Sequence, residues 1–500
     1  MALASRSGAK ACNPRHRPAY LPDPARDEET MTRILPPFLG IVALISALPP
    51  LAPLPAQAQT RVPSSQAEIS LGFAPVVRQA APAVVNIYAR RIVERRVSPF
   101  VNDPFFRDFF REFGQPRPQV QNSLGSGVIL SDDGIVVSNY HVVGQADDIR
   151  VVLNDRREFS ARVLLSDSEA DLAILQIDDA PQDMPHLQLR DSDNVEVGEL
   201  ALAIGNPFGV GQTVSSGIVS GLARSGTATG NGRGYFIQTD APINPGNSGG
   251  ALIDINGDLI GVNTSILTRS GGSNGIGFAI PSALVAQFVA QARQGNDRFE
   301  RPWAGMSGQE VDATMAENLG LPVPGGVIVA ELHPESPFGA AGIEVGDVIL
   351  AVDDLAVNTP PEMIFRMSVA GLGAQTQVTY YRDGEEAQAE VDLIAAPDEP
   401  PRNPITTTRN SPIPGLSLET VNPAVAAQRG LDTGTTGVLV TDPGPVGQRV
   451  GLLRGDVIQG VNGIAIADSA TLAEVLATAT RRLDINLIRT GRRMTLRLRL

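Results

Sequence analysis

Between about residues 65 and 290 the apolar positions fall in short, β-branched runs separated by Gly, Asn, Asp and Ser. That pattern predicts an all-β barrel or sandwich rather than βαβ units. Runs at 127–130 and 135–138 flank Ser131-Asp132-Asp133-Gly134. Runs at 251–255 and 258–262 flank Asn256-Gly257, a dipeptide that tolerates the left-handed backbone a tight hairpin demands. Further runs at 149–153, 161–165, 172–177, 200–204 and 214–220 supply more strands than one small barrel uses, so two barrels are expected. Pro281 then opens a segment, 282–293 (SALVAQFVAQAR), whose apolar residues recur at helical spacing, and a helix is predicted there with Pro at an early position.

After the polar stretch 294–300 the chain repeats itself. Gly342-Ile343-Glu344-Val345-Gly346-Asp347-Val348-Ile349 matches Gly451-Leu452-Leu453-Arg454-Gly455-Asp456-Val457-Ile458. Gly326-Val327 and Pro334 match Gly437-Val438 and Pro445, and Arg382-x-Gly384 matches Arg489-x-Gly491. Shared features in one order at nearly constant separation indicate two copies of one domain. The Pro-rich stretch 395–414 between them is expected to be a linker that builds neither a core nor a regular strand. The 500 residues are thus partitioned into an amino-terminal extension and leader (1–58), a double barrel (66–293), a first repeat (300–395), a linker (396–413) and a second repeat (414–500).

The leader has its own pattern. Met31 and Arg33 precede an apolar run at 38–48 (FLGIVALISAL), and Ala56-Gln57-Ala58 is a small-x-small cleavage site, so export with cleavage after Ala58 is expected. The run is short for a membrane span and is bracketed by Pro36, Pro37, Pro49 and Pro50, so a retained anchor is the weaker reading. Residues 1–30 read as a mis-assigned start or an unusual extension.

Composition narrows the chemistry. The only cysteine is Cys12 and the only lysine Lys10, so beyond the leader there is neither a thiol nor an amine side chain. Cysteine nucleophiles, Ser/Lys dyads, Schiff bases and lysine-dependent phosphate loops are excluded. Biased genome composition explains the missing lysine more simply than function does. Without cysteine the exported chain is neither a lipoprotein nor disulfide-stapled, and packing must stabilise it. A formal charge of −14 and a pI of 4.9 oppose binding to nucleic acid and acidic membranes.

Three histidines remain after the leader: His141, His186 and His333. His186, before Leu187, and His333, before Pro334, read as ordinary loop residues. His141 follows a strand in Ser138-Asn139-Tyr140-His141-Val142-Val143, Asp171 precedes the run at 172–175, and Ser248 lies in Asn244-Pro245-Gly246-Asn247-Ser248-Gly249-Gly250. Acyl transfer by serine needs a hydroxyl that attacks, an imidazole that takes and returns its proton, and a carboxylate that fixes the imidazole. Glycines beside the hydroxyl let backbone N–H groups converge on a developing oxyanion, and Gly246 and Ser248 are the donor candidates. Taken singly, the glycine string is a turn, His141 a packed histidine and Asp171 a turn cap, with Asp167 a competitor for its role. Together, His, Asp and Ser stand in the chain order of double-barrel serine proteases. No metal-ligand spacing competes, and no cofactor is expected.

Four blocks, 139–143, 171–175, 238–250 and 275–281 (GIGFAIP), resemble those of the HtrA (Deg) serine proteases, and the repeats with their Gly-Asp-Val-Ile cores are similar to the two PDZ domains of the DegP/DegQ-like branch. The resemblance implies an all-β double β-barrel (chymotrypsin-like) protease domain followed by two mixed α/β PDZ domains. It implies a trimer-based, ATP-independent periplasmic protease that degrades misfolded or unfolded proteins and also acts as a chaperone, with His141, Asp171 and Ser248 as the triad. Asn247 stands where trypsin-like enzymes carry the Asp that pairs with a new amino terminus, so loop rearrangement must do the switching. The family reading gives that relay to the glycine-rich stretch 224–234, which begins at Arg224. Ile243 and Ile266 would line the specificity pocket and favour small or aliphatic residues at the cut. The segment 99–113, with Phe100, Phe105, Phe106, Phe109, Phe110 and Phe113, reads as an inserted loop contacting neighbouring subunits rather than a packed helix.

In the repeats, peptide would add as a strand to a sheet edge, its carboxylate held by backbone N–H groups. Trp303-Ala304-Gly305-Met306 is the carboxylate loop expected in the first copy. Pro414-Gly415-Leu416 holds the related place in the second, where proline removes one donor and points to a role in assembly. Two readings rival a quality-control protease: a chaperone or scaffold using its PDZ pair with little turnover, and a regulatory protease tethered by an uncleaved amino terminus.

Overall fold

The computed structural model describes residues 72–93, 119–206, 211–225, 235–244, 246–266, 275–478 and 482–499. The leader with Cys12, the Phe-rich segment and most of 224–234 lie outside these.

The alternating apolar runs close into two barrels. In the first, β1 (Val84–Val93), β2 (Gln119–Ile129), β3 (Ile135–Ser138), β4 (Asp148–Val152), β5 (Glu158–Asp167) and β6 (Leu172–Ile177) join in the order β1-β2-β3-β6-β5-β4. In the second, β7 (Leu200–Gly205), β8 (Thr213–Ser225), β9 (Tyr235–Thr239), β10 (Ala251–Ile253), β11 (Leu259–Ile266) and β12 (Gly277–Pro281) join in the order β10-β11-β12-β9-β8-β7. Closure removes sheet edges. Val85, Ile87, Val136 and Leu175 fill the first barrel, and Ala203, Ile237, Leu252 and Ile260 the second. A third cluster, including Leu172, Ile174, Leu202, Ile204, Val262 and Phe278, belongs to both. Each such side chain contributes about 1.5–3 kcal/mol by leaving water. The shared cluster fixes one barrel against the other and so sets the crevice between them.

The predicted helix is Ser282–Arg293, and its buried Val285 and Phe288 join that shared cluster. Pro281 is not inside it. It ends β12 and occupies the helix cap, where its missing N–H is harmless.

The repeats are two copies of one mostly antiparallel PDZ sheet. In the first, β13 (Met306–Glu310), β14 (Val327–Leu332), β15 (Val348–Val352), β16 (Leu355–Ala356), β17 (Gln375–Arg382) and β18 (Glu385–Asp392) run β13-β14-β15-β17-β18, with β16 on β15. In the second, β19 (Ile405–Thr406), β20 (Ser417–Thr420), β21 (Val438–Asp442), β22 (Val457–Val461), β23 (Ile464–Ala465), β24 (Arg482–Arg489) and β25 (Arg492–Arg499) run β19-β20-β21-β22-β24-β25, with β23 on β22. The two sequence signatures of the repeat meet in space. Buried Asp347 accepts from Arg382 at 2.6 and 2.7 Å, and buried Asp456 accepts from Arg489 at 2.6 and 2.7 Å.

The linker departs from expectation. Its proline-free part forms β19, which pairs with β20, and Ile413 is fully buried in the second PDZ core. Pro404 and Pro412 bracket the β-branched Ile405-Thr406-Thr407, and a proline just before an outer strand removes no ladder hydrogen bond.

Candidate active site

β3 ends at Ser138, and a single helical turn, Tyr140–Val143, carries His141 into the crevice. The turn is tied to the loop before β6. Tyr140 N–H and Asn139 Nδ2 both donate to the Asp171 carbonyl, at 3.1 and 2.9 Å. The His141 N–H donates to Asp171 Oδ1 at 3.0 Å, and His141 Nδ1 lies 2.9 and 2.8 Å from Asp171 Oδ1 and Oδ2. An ionised carboxylate only accepts, so Nδ1 carries the proton and Nε2 presents a lone pair. Asp171 is largely buried with φ +54°, while the imidazole is half exposed.

The nucleophile loop hangs from the second barrel but is clamped by the first. Ser126 N–H, on β2, donates to the Ser248 carbonyl at 2.9 Å, and Ser126 Oγ donates to the Gly246 carbonyl at 2.7 Å. Gly249 has φ +82°, and a Cβ there would lie 2.1 Å from the Ser126 carbonyl oxygen, so this approach of two backbones requires glycine. Asn247 N–H donates to Asn244, Gly249 N–H to Asn263 and Gly250 N–H to Asn247. Among the described residues of the loop, these bonds leave the Gly246 and Ser248 N–H groups as the candidate oxyanion donors. Asn247 Oδ1 accepts from Thr213 Oγ1 at 3.1 Å, the contact that stands in the place of an ion pair.

Thr264, on β11, completes the cluster. Its Oγ1 donates to Asp171 Oδ2 at 2.6 Å, and its carbonyl accepts from Ser248 Oγ at 2.9 Å. A hydroxyl has one proton, so Ser248 does not donate to His141 in this state. Nothing in the sequence marks Thr264, one alternating residue of an ordinary strand; only closure of the second barrel brings it to the acid.

The other candidates lie as follows. Asp167, at the end of β5, accepts from Arg301 Nη1 and Nη2 at 2.8 Å each and caps the Glu169 and Ala170 N–H groups at 2.9 and 2.7 Å. His186 Nδ1 faces the Met184 carbonyl, and His333 Nδ1 accepts from the Glu335 N–H. Ile243 is buried, and a Cβ at Gly277 would come within 2.8 Å of its Cδ1. The backbone of Ile266 ends β11 and that of Arg224 lies near the end of β8; their side chains are outside the described residues. Trp303, Ala304 and Gly305 lead into β13, which opens at Met306, with Gly305 at φ +59° and the Trp303 ring edge-on to His333 at 5.2 Å. Among the described residues no helix is long and apolar enough to cross a membrane.

A trypsin-like peptidase domain model matches residues 125–262, a span holding His141, Asp171 and Ser248, and a PDZ domain model matches 304–393. The chain is 36% identical over 447 residues to a probable periplasmic serine protease do/HhoA-like of Haemophilus influenzae, covering 86% of this chain and 92% of that one. It is 35% identical over 424 residues to the periplasmic pH-dependent serine endoprotease DegQ of Escherichia coli, covering 83% and 89%. The chain belongs to the DegP/DegQ serine endoproteases. Among solved structures, a serine-to-alanine variant of the HtrA-type protease AlgW with a decapeptide is 39% identical, with a TM-score of 0.50, over 66% of this chain and 99% of that one. As a DegP/DegQ-type serine endopeptidase, the protein joins a chymotrypsin-like domain to PDZ domains that bind peptide or protein segments.

Proposed function

We propose that the protein is a periplasmic quality-control endopeptidase, exported by its leader and assembled as a trimer or multiples of trimers, that cuts unfolded or misfolded proteins with His141, Asp171 and Ser248 and also has chaperone activity. The observation that carries this reading is the pair of short contacts from Asp171 to His141 Nδ1. They put the proton on Nδ1 and leave the Nε2 lone pair free to accept one. Rotation of the Ser248 side chain away from the Thr264 carbonyl gives up one hydrogen bond, worth about 1 kcal/mol net, and offers the proton to Nε2. The Ser248 oxygen attacks the scissile carbonyl as Nε2 takes its proton. The imidazolium, stabilised by Asp171, then gives that proton to the amine as the C–N bond breaks, and a water activated by the same imidazole hydrolyses the acyl-enzyme and frees Ser248. Gly246 and Ser248 N–H groups receive the oxyanion. The state described is thus a resting one, and a relay through the stretch beginning at Arg224 is the proposed switch. Ile243 packed against Gly277 supports a shallow apolar pocket, completed by Ile266, for small or aliphatic residues. Trp303, Ala304, Gly305 and Met306 would receive peptide C-termini in the first PDZ domain.

Casein digestion by Ser248→Ala is the test. Cleavage should fall by at least about 10⁴-fold. Unchanged turnover would remove Ser248 from the chemistry, and a wild type that suppresses aggregation without cutting casein would favour the chaperone or scaffold reading.

A further inference from the structure

The two PDZ copies differ at one edge. In the first, β13 is the outermost strand; the Thr433 hydroxyl of the second copy reaches the Met306 carbonyl at 3.3 Å, but among the described residues no strand lies along it. The corresponding strand of the second copy is β20, as the pairings Ser307 with Glu331 and Ser417 with Asp442 establish. Gly305 and Met306 therefore correspond to Gly415 and Leu416, and both glycines are left-handed, at φ +59° and +77°. The outer edge of β20 is not open. β19, from the linker, pairs with it antiparallel, Ile405 opposite Leu418 and Thr406 opposite Ser417.

We propose that linker residues 402–407 are an intramolecular ligand of the second PDZ domain, filling its peptide groove in the pose of a captured carboxy-terminal peptide. The direction fits: the segment runs antiparallel to β20 with its later end at the carboxylate loop. Thr420 N–H donates to the Arg402 carbonyl at 2.7 Å, and Thr407 N–H to the Leu416 carbonyl at 2.9 Å. At the loop, Gly415 N–H donates to the Thr407 carbonyl at 3.0 Å and Leu416 N–H to Thr407 Oγ1 at 2.9 Å. Two oxygens of one residue thus take the two donors that carboxylate oxygens would use, and Pro414 has none to offer. Ile405 packs into the second PDZ core as an anchor side chain, and Ser469 Oγ, at the start of the helix Ser469–Thr478, holds the Asn403 carbonyl at 2.7 Å from the far wall of the groove. Arg402 is fastened to Asp398 at 3.0 Å and to Gln428 at 3.2 Å, so the segment is tethered at its entry. A tethered ligand acts at millimolar effective concentration, and an outside peptide binds only to the open fraction. The second domain accordingly takes external peptide only after the linker leaves.

The test uses the full chain with Ser248→Ala to stop turnover and Cys12→Ser to remove the native thiol, so it is independent of the catalytic reading. In that background Thr406→Cys with Ser417→Cys places two thiols where the native hydroxyls lie 2.9 Å apart. Mild oxidation should cross-link them within the chain, read by mass spectrometry of digests; thiols that stay free would overturn the proposal. A release variant, Ile405→Asp with Thr407→Pro, is titrated with fluorescein-labelled Pro-Arg-Asn-Pro-Ile-Thr-Thr bearing a free carboxylate. It should bind one more peptide per chain than its parent, at least about tenfold tighter at the new site, with faster amide exchange at Gly415, Leu416 and Thr420. Faster exchange with no added site would show that the groove is no peptide site, and unchanged exchange that the linker does not cover it; either result refutes the proposal.

Discussion

At the residue scale the geometry puts most weight on Thr264. Its hydroxyl gives Asp171 a charge-assisted bond, and its carbonyl holds the Ser248 proton, so one strand residue touches both ends of the triad. Thr264→Val keeps the carbonyl and the shape and removes the donor to the carboxylate. Losing a hydrogen bond to a charged group costs about 1.5–3 kcal/mol, so kcat/KM on a fluorogenic peptide should drop roughly 10- to 100-fold, chiefly through kcat. An unaltered kcat would reduce Thr264 to a packing residue.

At the element scale the turn joining β5 to β6 presents Asp171, and Asp167 shapes that turn by capping two N–H groups while pairing with Arg301. Burial pushes the Asp167 carboxyl up, but hydrogen bonds and charge from Arg301, with the Ala170 and Glu169 N–H groups, outweigh it and hold it below the ordinary 3.8. A carboxyl depressed on folding stabilises the fold above its unfolded value, and this contribution fades as pH drops through the folded one. Asp167→Ala should therefore destabilise the protein at pH 7 by about 3 kcal/mol. Calorimetric melts should show the gap to wild type narrowing only below the ordinary value of 3.8. A gap constant down to pH 2 would contradict the assignment.

At the scale of the whole molecule, the helix Pro360–Ala370 of the first PDZ domain is seated on the protease domain. Phe365 stacks on Tyr235 with ring centres 3.9 Å apart, and the partly buried Arg366 donates to Asp193 at 2.5 Å and to the Tyr235 hydroxyl at 2.8 Å. Tyr235 opens β9, directly after the glycine-rich stretch, so this contact ties PDZ position to the strand that follows it. Arg366→Ala leaves Asp193 without its partner and should loosen the seat. Hydrogen exchange across 235–239 is expected to quicken at least about tenfold, and unchanged protection would show that the aromatic stack and the Gln287 bond to the Val369 carbonyl hold the seat without Arg366.

Periodicity and turn chemistry were enough to read two barrels, a helix at 282–293 and a duplicated domain, because alternating burial and left-handed glycines leave their mark within a few residues of chain. The chain order of His141, Asp171 and Ser248 was legible for a similar reason: each stands in a short block whose residue types the chemistry restricts. Thr264, Ser126 and Arg301 carry no local mark. Their parts come from contacts across the crevice between the barrels, or from the chain just before the first PDZ domain, and such contacts depend on closure rather than on neighbours. Proline in the linker argued against a strand there, and the argument failed because an outer strand gains its hydrogen bonds from a partner already folded, which local sequence does not encode. Local residue patterns set the elements, the duplication and the chemistry available to the site. Tertiary structure decided which side chains meet, since hydrogen bonds act over about 3 Å in space whatever the distance along the chain.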